Sequence, residues 1–239
     1  MKTKIKDKLH LVDAIKQEIK LNGVNCDLNH LDVSAVSDMS YLFMGSQFNG
    51  DISGWNTSNV QDMSGMFYNS QFKRDISRWD TSHVTDMSDM FATSQFNADI
   101  SKWNTLNVQD MRAMFARSQF NSDISHWDTS SVVNMTSMFV LSQFNGDISK
   151  WEVSNVVDMS YMFNRAQFSQ DLTPWDTSRV QVMNCIFDDC PAPFPYWGKY
   201  QDKNERSRAI AEFKKIQREK EALNQNLALV GEARMPHKI

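Results

Sequence analysis

Cysteine is scarce and odd in number: the 239 residues hold three, at 26, 185 and 190. Such a set does not make the disulfide framework of a small secreted module and fits a reducing compartment better. No stretch approaches the roughly 20 apolar residues that a membrane span needs. Residues 1–20 carry charges throughout and have no uninterrupted apolar core, which argues against a secretory signal. Positive charge is not in excess either. A net charge of −4 and a pI near 5.7 argue against a chain devoted to neutralising phosphate or coating an anionic membrane.

Catalytic and metal-binding patterns are missing as well. No nucleophile elbow, HExxH, P-loop or dinucleotide glycine pattern is present, and His10, His30, His83, His126 and His237 sit in different registers. Cys185 and Cys190 have no second cysteine pair to complete a zinc site. Neither the glycine-rich nonapeptide of calcium-binding β-solenoids nor an EF-hand spacing occurs. The expectation is a protein that is not an enzyme, with no cofactor and no metal.

What the sequence does have is a ruler. Tryptophan falls at 55, 79, 103, 127, 151 and 175, an unbroken spacing of 24. Phe48, Phe72, Phe96, Phe120, Phe144 and Phe168 keep the same register, as do Ile52, Ile76, Ile100, Ile124, Ile148 and Leu172. Val60 to Val180 and the methionines from Met39 to Met183 keep further registers, and a Met-Phe pair follows in five copies, from Met66-Phe67 to Met162-Phe163. A degenerate earlier copy at Val24, Leu28, Leu31, Val36, Met39 and Phe43 brings the total to seven units over 24–191. Periodicity of this kind marks stacked repeats, because no single unit can bury its own aromatic side.

Within one unit, Phe48 and Ile52 with polar residues between them suit a brief strand. Val60, Met63, Met66 and Phe67 then stand at helical spacing, with Ser58 and Gln61 placed to form a capping box. The predicted fold class is therefore an α/β repeat solenoid of the leucine-rich-repeat kind. Each repeat supplies a short parallel strand and a short helix or helical turn, and helical caps close both ends. Residues 1–23 are expected to form the N-terminal cap, a helix with Ile5, Leu9, Val12, Ile15 and Ile19 on one face and Asn22-Gly23 as its stop. A proline-rich linker spans 192–202. Residues 203–239 hold a C-terminal helix and tail, with Ile210, Phe213, Ile216, Leu223 and Leu227 as an apolar stripe that either caps the array or projects toward a partner.

The phrase FNGDISGWNTSNVQDMSGMF and its copies closely resemble the BspA-like leucine-rich-repeat family, also known from mycoplasma surface lipoproteins of uncharacterised function. The resemblance implies a leucine-rich-repeat-like solenoid and a binding role, often at the cell surface in adhesion or host contact. It implies no catalysis.

Candidate binding residues lie where the repeats vary or where charge lines up. Arg78, Lys102, His126 and Lys150 form a weakly basic row beside the tryptophans. Lys73 and Arg74 lie in the loop after a core phenylalanine, and His83, Asn107, Asn155 and Arg179 form a second variable column. Asp51, Asp75, Asp99, Asp123 and Asp147 form a carboxylate column that would repel itself unless compensated. Each of these carboxylates either accepts backbone N–H groups in its own turn or contributes to an acidic stripe. The tryptophans, invariant in every unit, belong to the core.

The expected function is a protein–protein interaction scaffold, an intracellular inhibitor, immunity protein or adaptor, whose partner is a protein and not a nucleic acid. The alternatives are a surface or secreted adhesin and a structural component that oligomerises through its C-terminal helix. The expected location is the cytoplasm, with the cell surface or secretion as the alternative.

Overall fold

The computed structural model describes residues 2–233, with side chains through residue 225. Tandem 24-residue units stack one on the next, and the same contacts recur at the same offsets along the array. All the apolar registers point inward. The core phenylalanines, isoleucines, valines and methionines of the inner units are buried, and the six tryptophans keep 2–4% of their surface.

Aromatic rings from successive units stack in files. Phe67, Phe91, Phe115, Phe139 and Phe163 follow one another at centroid separations of 5.7–5.8 Å. Each also lies close on the phenylalanine five residues later, as in Phe91–Phe96 at 4.1 Å. A fully buried phenylalanine contributes roughly 1.5–3 kcal/mol, and each good ring pair about 0.5–1.5 kcal/mol more. The indole of Trp103 adds a polar tie, its Nε1–H donating to Ile76 O at 3.1 Å in the preceding unit. Thr105 ties forward, its Oγ1–H donating to Asp128 O at 2.8 Å.

The local conformation differs from a strand followed by a helix. Among the described residues, successive repeats share only isolated parallel bridges, at Asp38–Asp62, Asp62–Asp86, Asp86–Asp110 and onward. The segment expected to be helical is a run of tight turns whose amides point two ways. Met87, Asp89, Phe91 and Thr93 donate to carbonyls of the next unit, at Asp110, Arg112, Met114 and Ala116. Met90, Ala92 and Ser94 donate back three residues, and Ser88 N–H donates to Asp86 Oδ1. Every amide from 87 to 94 is thereby satisfied, as a buried backbone requires.

An α-helix cannot share its amides in this way, because each would be spent on the carbonyl four residues back. The backbone instead takes positive φ twice per unit, as at Asp89 (56°) and Thr93 (58°). The capping box is absent for the same reason: Ser58 N–H donates to Asn56 Oδ1, and Gln61 N–H donates to Ser37 O.

At the N-terminal end, β1 (Thr3–Lys4) pairs in parallel with β2 (Leu31–Asp32), and α1 (Lys8–Asn22) follows β1. Asp7 caps α1 by accepting from His10 N–H, and Gly23 ends it at φ 82° with its N–H on Ile19 O. The buried face of α1 is Leu11 and Ile15, whereas Leu9 is 77% exposed. Of the expected stripe, Ile5 and Ile15 are buried, Ile19 packs against the core and Val12 is half-buried, while Leu9 faces out and Leu11 takes its place in the core.

At the other end, the proline-rich stretch is no mere linker. Trp197, in a 3-10 helix over Tyr196–Lys199, takes the next indole position and donates to Leu172 O at 3.1 Å. Arg206 is fully buried in the first turns of α2 (Lys203–Ala233). Its guanidinium donates to Thr177 O, Tyr200 O, Gln201 O and Val180 O. Ile210 is buried and Phe213 stacks on Tyr196 at 4.2 Å, but Ile216 and Leu223 are exposed. The helix therefore both caps and projects. Leu227, placed in the same stripe, and His237 lie outside the residues whose side chains are described.

Candidate functional site

Each unit turns its chain with three side-chain acceptors, and these explain most of the acidic residues. Asp99 Oδ1 accepts from Ser101 N–H at 2.8 Å, Asn104 Oδ1 from Leu106 N–H at 3.1 Å, and Asp110 Oδ1 from Arg112 N–H at 2.7 Å. The first of these recurs as Asp51 to Ser53, Asp75 to Ser77, Asp123 to Ser125 and Asp147 to Ser149. The five carboxylates of the candidate acidic stripe are thus turn-forming groups. The serine backbone amide is the largest influence holding the pKa of each below the ordinary carboxylate value. Self-repulsion of the column is offset by these amides and by the neighbouring basic side chains.

Several variable residues also have structural roles that single-residue pattern reasoning missed. Asn107 Nδ2–H donates to Ser82 O at 2.7 Å, and Asn155 Nδ2–H donates to Ser130 O at 2.7 Å. Arg179 reaches Asn155 Oδ1 at 2.8 Å, and Arg74 Nε–H donates to Asn49 O at 2.8 Å. All four tie adjacent units together. The one signal available in the sequence was the recurrence of asparagine at 59, 107 and 155, intervals of 48.

Arg78, Lys102, His126 and Lys150 are different. They are exposed, one to a unit, and no hydrogen bond engages their side chains among the described residues. Each lies close enough to a column carboxylate to stabilise its charge: Arg78 beside Asp75, Lys102 beside Asp99, His126 beside Asp123, Lys150 beside Asp147. A groove of about 260 Å³ between two units brings Asp123, Ser125, His126, Asp147 and Lys150 together. A second, of about 480 Å³, is lined by Asn25, Asp51, Ser53, Arg74 and Asp75. Lys73 is exposed next to this second groove. His83 stands apart with Asn107, Asn155 and Arg179, its Nδ1 at 3.3 Å from Ser82 Oγ.

The three thiols are free. Cys185 is exposed, while Cys190 is half-buried with its Sγ 3.1 Å from Phe168 O, and burial pushes its thiol pKa up. Among the described residues no group of three or more His, Cys, Asp and Glu is arranged to hold a metal ion. No described helix is long and apolar enough to cross a membrane.

A family model described as "Mycoplasma protein of unknown function, DUF285" matches residues 13–121, 66–148, 92–194 and 116–228 in overlapping segments, as a tandem-repeat family does. No curated protein and no solved structure matches the chain.

Proposed function

The chain belongs to the Mycoplasma family DUF285, whose function is unknown, and from that premise we propose that it is a non-catalytic protein-binding scaffold. In this reading it is a leucine-rich-repeat-like solenoid that works inside the cell as an inhibitor, immunity protein or adaptor. One observation carries the reading: Arg78, Lys102, His126 and Lys150 form an exposed row with no internal hydrogen bonds, on a backbone whose neighbouring polar groups are committed to the fold. A side chain held in place by its neighbours but unused by them is available to a partner.

The row runs beside a carboxylate column, so the face alternates in charge and suits a polypeptide bearing both signs better than a nucleic acid. Side chains of that partner enter the grooves between units, and the fixed backbone lowers the ordering cost of binding. The free thiols agree with a reducing interior.

Affinity capture from a lysate of the source cell tests the reading, comparing the intact chain with one carrying Arg78→Glu, Lys102→Glu, His126→Glu and Lys150→Glu. A single stoichiometric protein held by the first and lost by the second supports it. Equal capture by both, or capture by neither, counts against it.

A further inference from the structure

Seven columns of the array are identical in all six units between residues 47 and 190. Five are apolar and buried, those that begin at Phe48, Trp55, Val60, Met63 and Phe67. A sixth is the aspartate column, whose Oδ1 atoms accept turn amides from Asp51 to Asp171. The seventh is glutamine: Gln47, Gln71, Gln95, Gln119, Gln143 and Gln167. Five of these are exposed and Gln71 is half-buried, and no hydrogen bond engages their side chains among the described residues. Folding alone accounts for six of the identical columns and leaves this one without a task.

The glutamines sit on a strip with the alternation of a strand. In Ser94-Gln95-Phe96-Asn97 the first and third residues are buried and the second and fourth exposed. The neighbouring asparagines are spent inside the array. Asn97 Oδ1 accepts from Asn121 N–H and Asn121 Oδ1 from Asn145 N–H, both at 2.8 Å. The glutamines are tied to the preceding unit through the backbone, Gln119 N–H donating to Ser94 O and Gln143 N–H to Ser118 O. A ladder of stacked glutamine amides belongs to strands about 4.7–4.8 Å apart. The adjoining phenylalanines, Phe48 to Phe168, follow one another at 6.2–6.4 Å, too wide for the amides to complete one another.

That spacing is close to the two-residue repeat of an extended polypeptide, about 6.6 Å. Along one edge of such a strand every second residue presents both its N–H and its C=O, and a primary amide offers the matching acceptor and donor. We propose that the glutamine column binds an extended polypeptide segment by its backbone, one glutamine to every second residue. Over six units the accumulated mismatch is about 1–2 Å, which the rotamers of a long side chain absorb. Neutral amides suit neutral peptide groups. The array, with 20 Asp and Glu against 9 Lys and Arg over residues 24–191, repels a polyanionic strand instead. The column stands apart from the basic row, and because it reads main chain it accepts varied sequences.

Fluorescence anisotropy on the full chain tests the assignment with two labelled peptides of about 12 residues, the reach of six glutamines at two residues each. One alternates Thr and Ser and the other Ala and Asn. Both are expected to bind with dissociation constants below about 100 μM and within about tenfold of each other. The triple variant Gln95→Ala, Gln119→Ala and Gln143→Ala is expected to bind each at least about 100-fold more weakly, since each lost pair of hydrogen bonds is about a factor of ten. Its urea midpoint should stay at the native value, as for a neutral surface change. Weaker binding by the native chain, a wider preference between the peptides, or a smaller loss in the triple variant overturns the proposal. So does a lowered midpoint, which would give the glutamines a structural task, or glutamine-dependent binding of an oligosaccharide in place of the peptides.

Discussion

Trp103→Phe is the most informative single change in the array. The indole is 4% exposed, donates to Ile76 O at 3.1 Å, and lies 6.1 Å from the Phe91 ring. Ile76 O also accepts from Trp79 N–H at 3.2 Å, so the substitution leaves no orphaned carbonyl. The hydrogen bond accounts for about 1 kcal/mol. The space left by the smaller ring, in a stack that cannot collapse without disturbing its neighbours, accounts for about 1–2 kcal/mol more. The expected loss is thus about 2–3 kcal/mol, measured as a shift in the urea midpoint at constant slope. Trp79 and Trp127 make the same bond, to Ile52 O and Ile100 O at 3.1 Å. Their phenylalanine variants should therefore lose the same amount to within about 0.5 kcal/mol, provided the array melts as one unit. A loss below about 1 kcal/mol, or three unequal losses, refutes the equivalence of the repeats.

Further outcomes follow from individual contacts. Gly65 takes positive φ at 56°, and a Cβ there would come within 2.3 Å of the Tyr41 ring, whereas Asp89 and Ala113 occupy the same register at similar φ. Gly65→Ala should thus cost about 1–3 kcal/mol in thermal melts, and Tyr41→Ala should recover most of it; no recovery would mean that the backbone, not the ring, demands glycine. The carboxylates of Asp51, Asp75, Asp99, Asp123 and Asp147 have depressed pKa values, so their stabilisation is complete above the unfolded value near 3.8 and is lost as pH falls through the folded values. Asp89, raised by burial, acts in the opposite sense, but one group does not offset five. The urea midpoint should be level from about pH 7 to pH 5 and fall by pH 3; a midpoint that rises on acidification contradicts the assignment. Arg206→Ala removes the guanidinium from Thr177 O and Val180 O and should cost about 3 kcal/mol, seen as faster proteolysis after residue 190. Arg206→Lys should not restore it, since an ammonium lacks the planar fork.

The repeat, its core registers and the burial of the six tryptophans on the 24-residue spacing were legible in the sequence, because that period fixes which side chains meet regardless of how the backbone joins them. The backbone itself was not legible. Val60, Met63, Met66 and Phe67 stand at helical spacing, yet in a stack the competing acceptor is the carbonyl one unit away, which no single-unit pattern records. The same blindness hid the tasks of Asn107, Asn155 and Arg179, whose partners lie 24 or 25 residues distant. Trp197 escaped notice because it stands 22 residues after Trp175, off the ruler. Arg206 escaped because a buried arginine is the exception and its acceptors are backbone carbonyls. Of the candidate site, the basic row was visible as a variable column, and the turn-forming role of the aspartates was one of two readings until their Oδ1 partners were placed.

Hydrogen exchange across the full chain, with and without the captured partner, tests the scaffold claim most directly. The account predicts added protection centred on residues 73–78, 99–102, 123–126 and 147–150, the strips that hold the basic row and its carboxylate neighbours, with the buried aromatic files unchanged. Protection gained instead on the turns around residues 87–94 and 111–118, with none on the row, would contradict it.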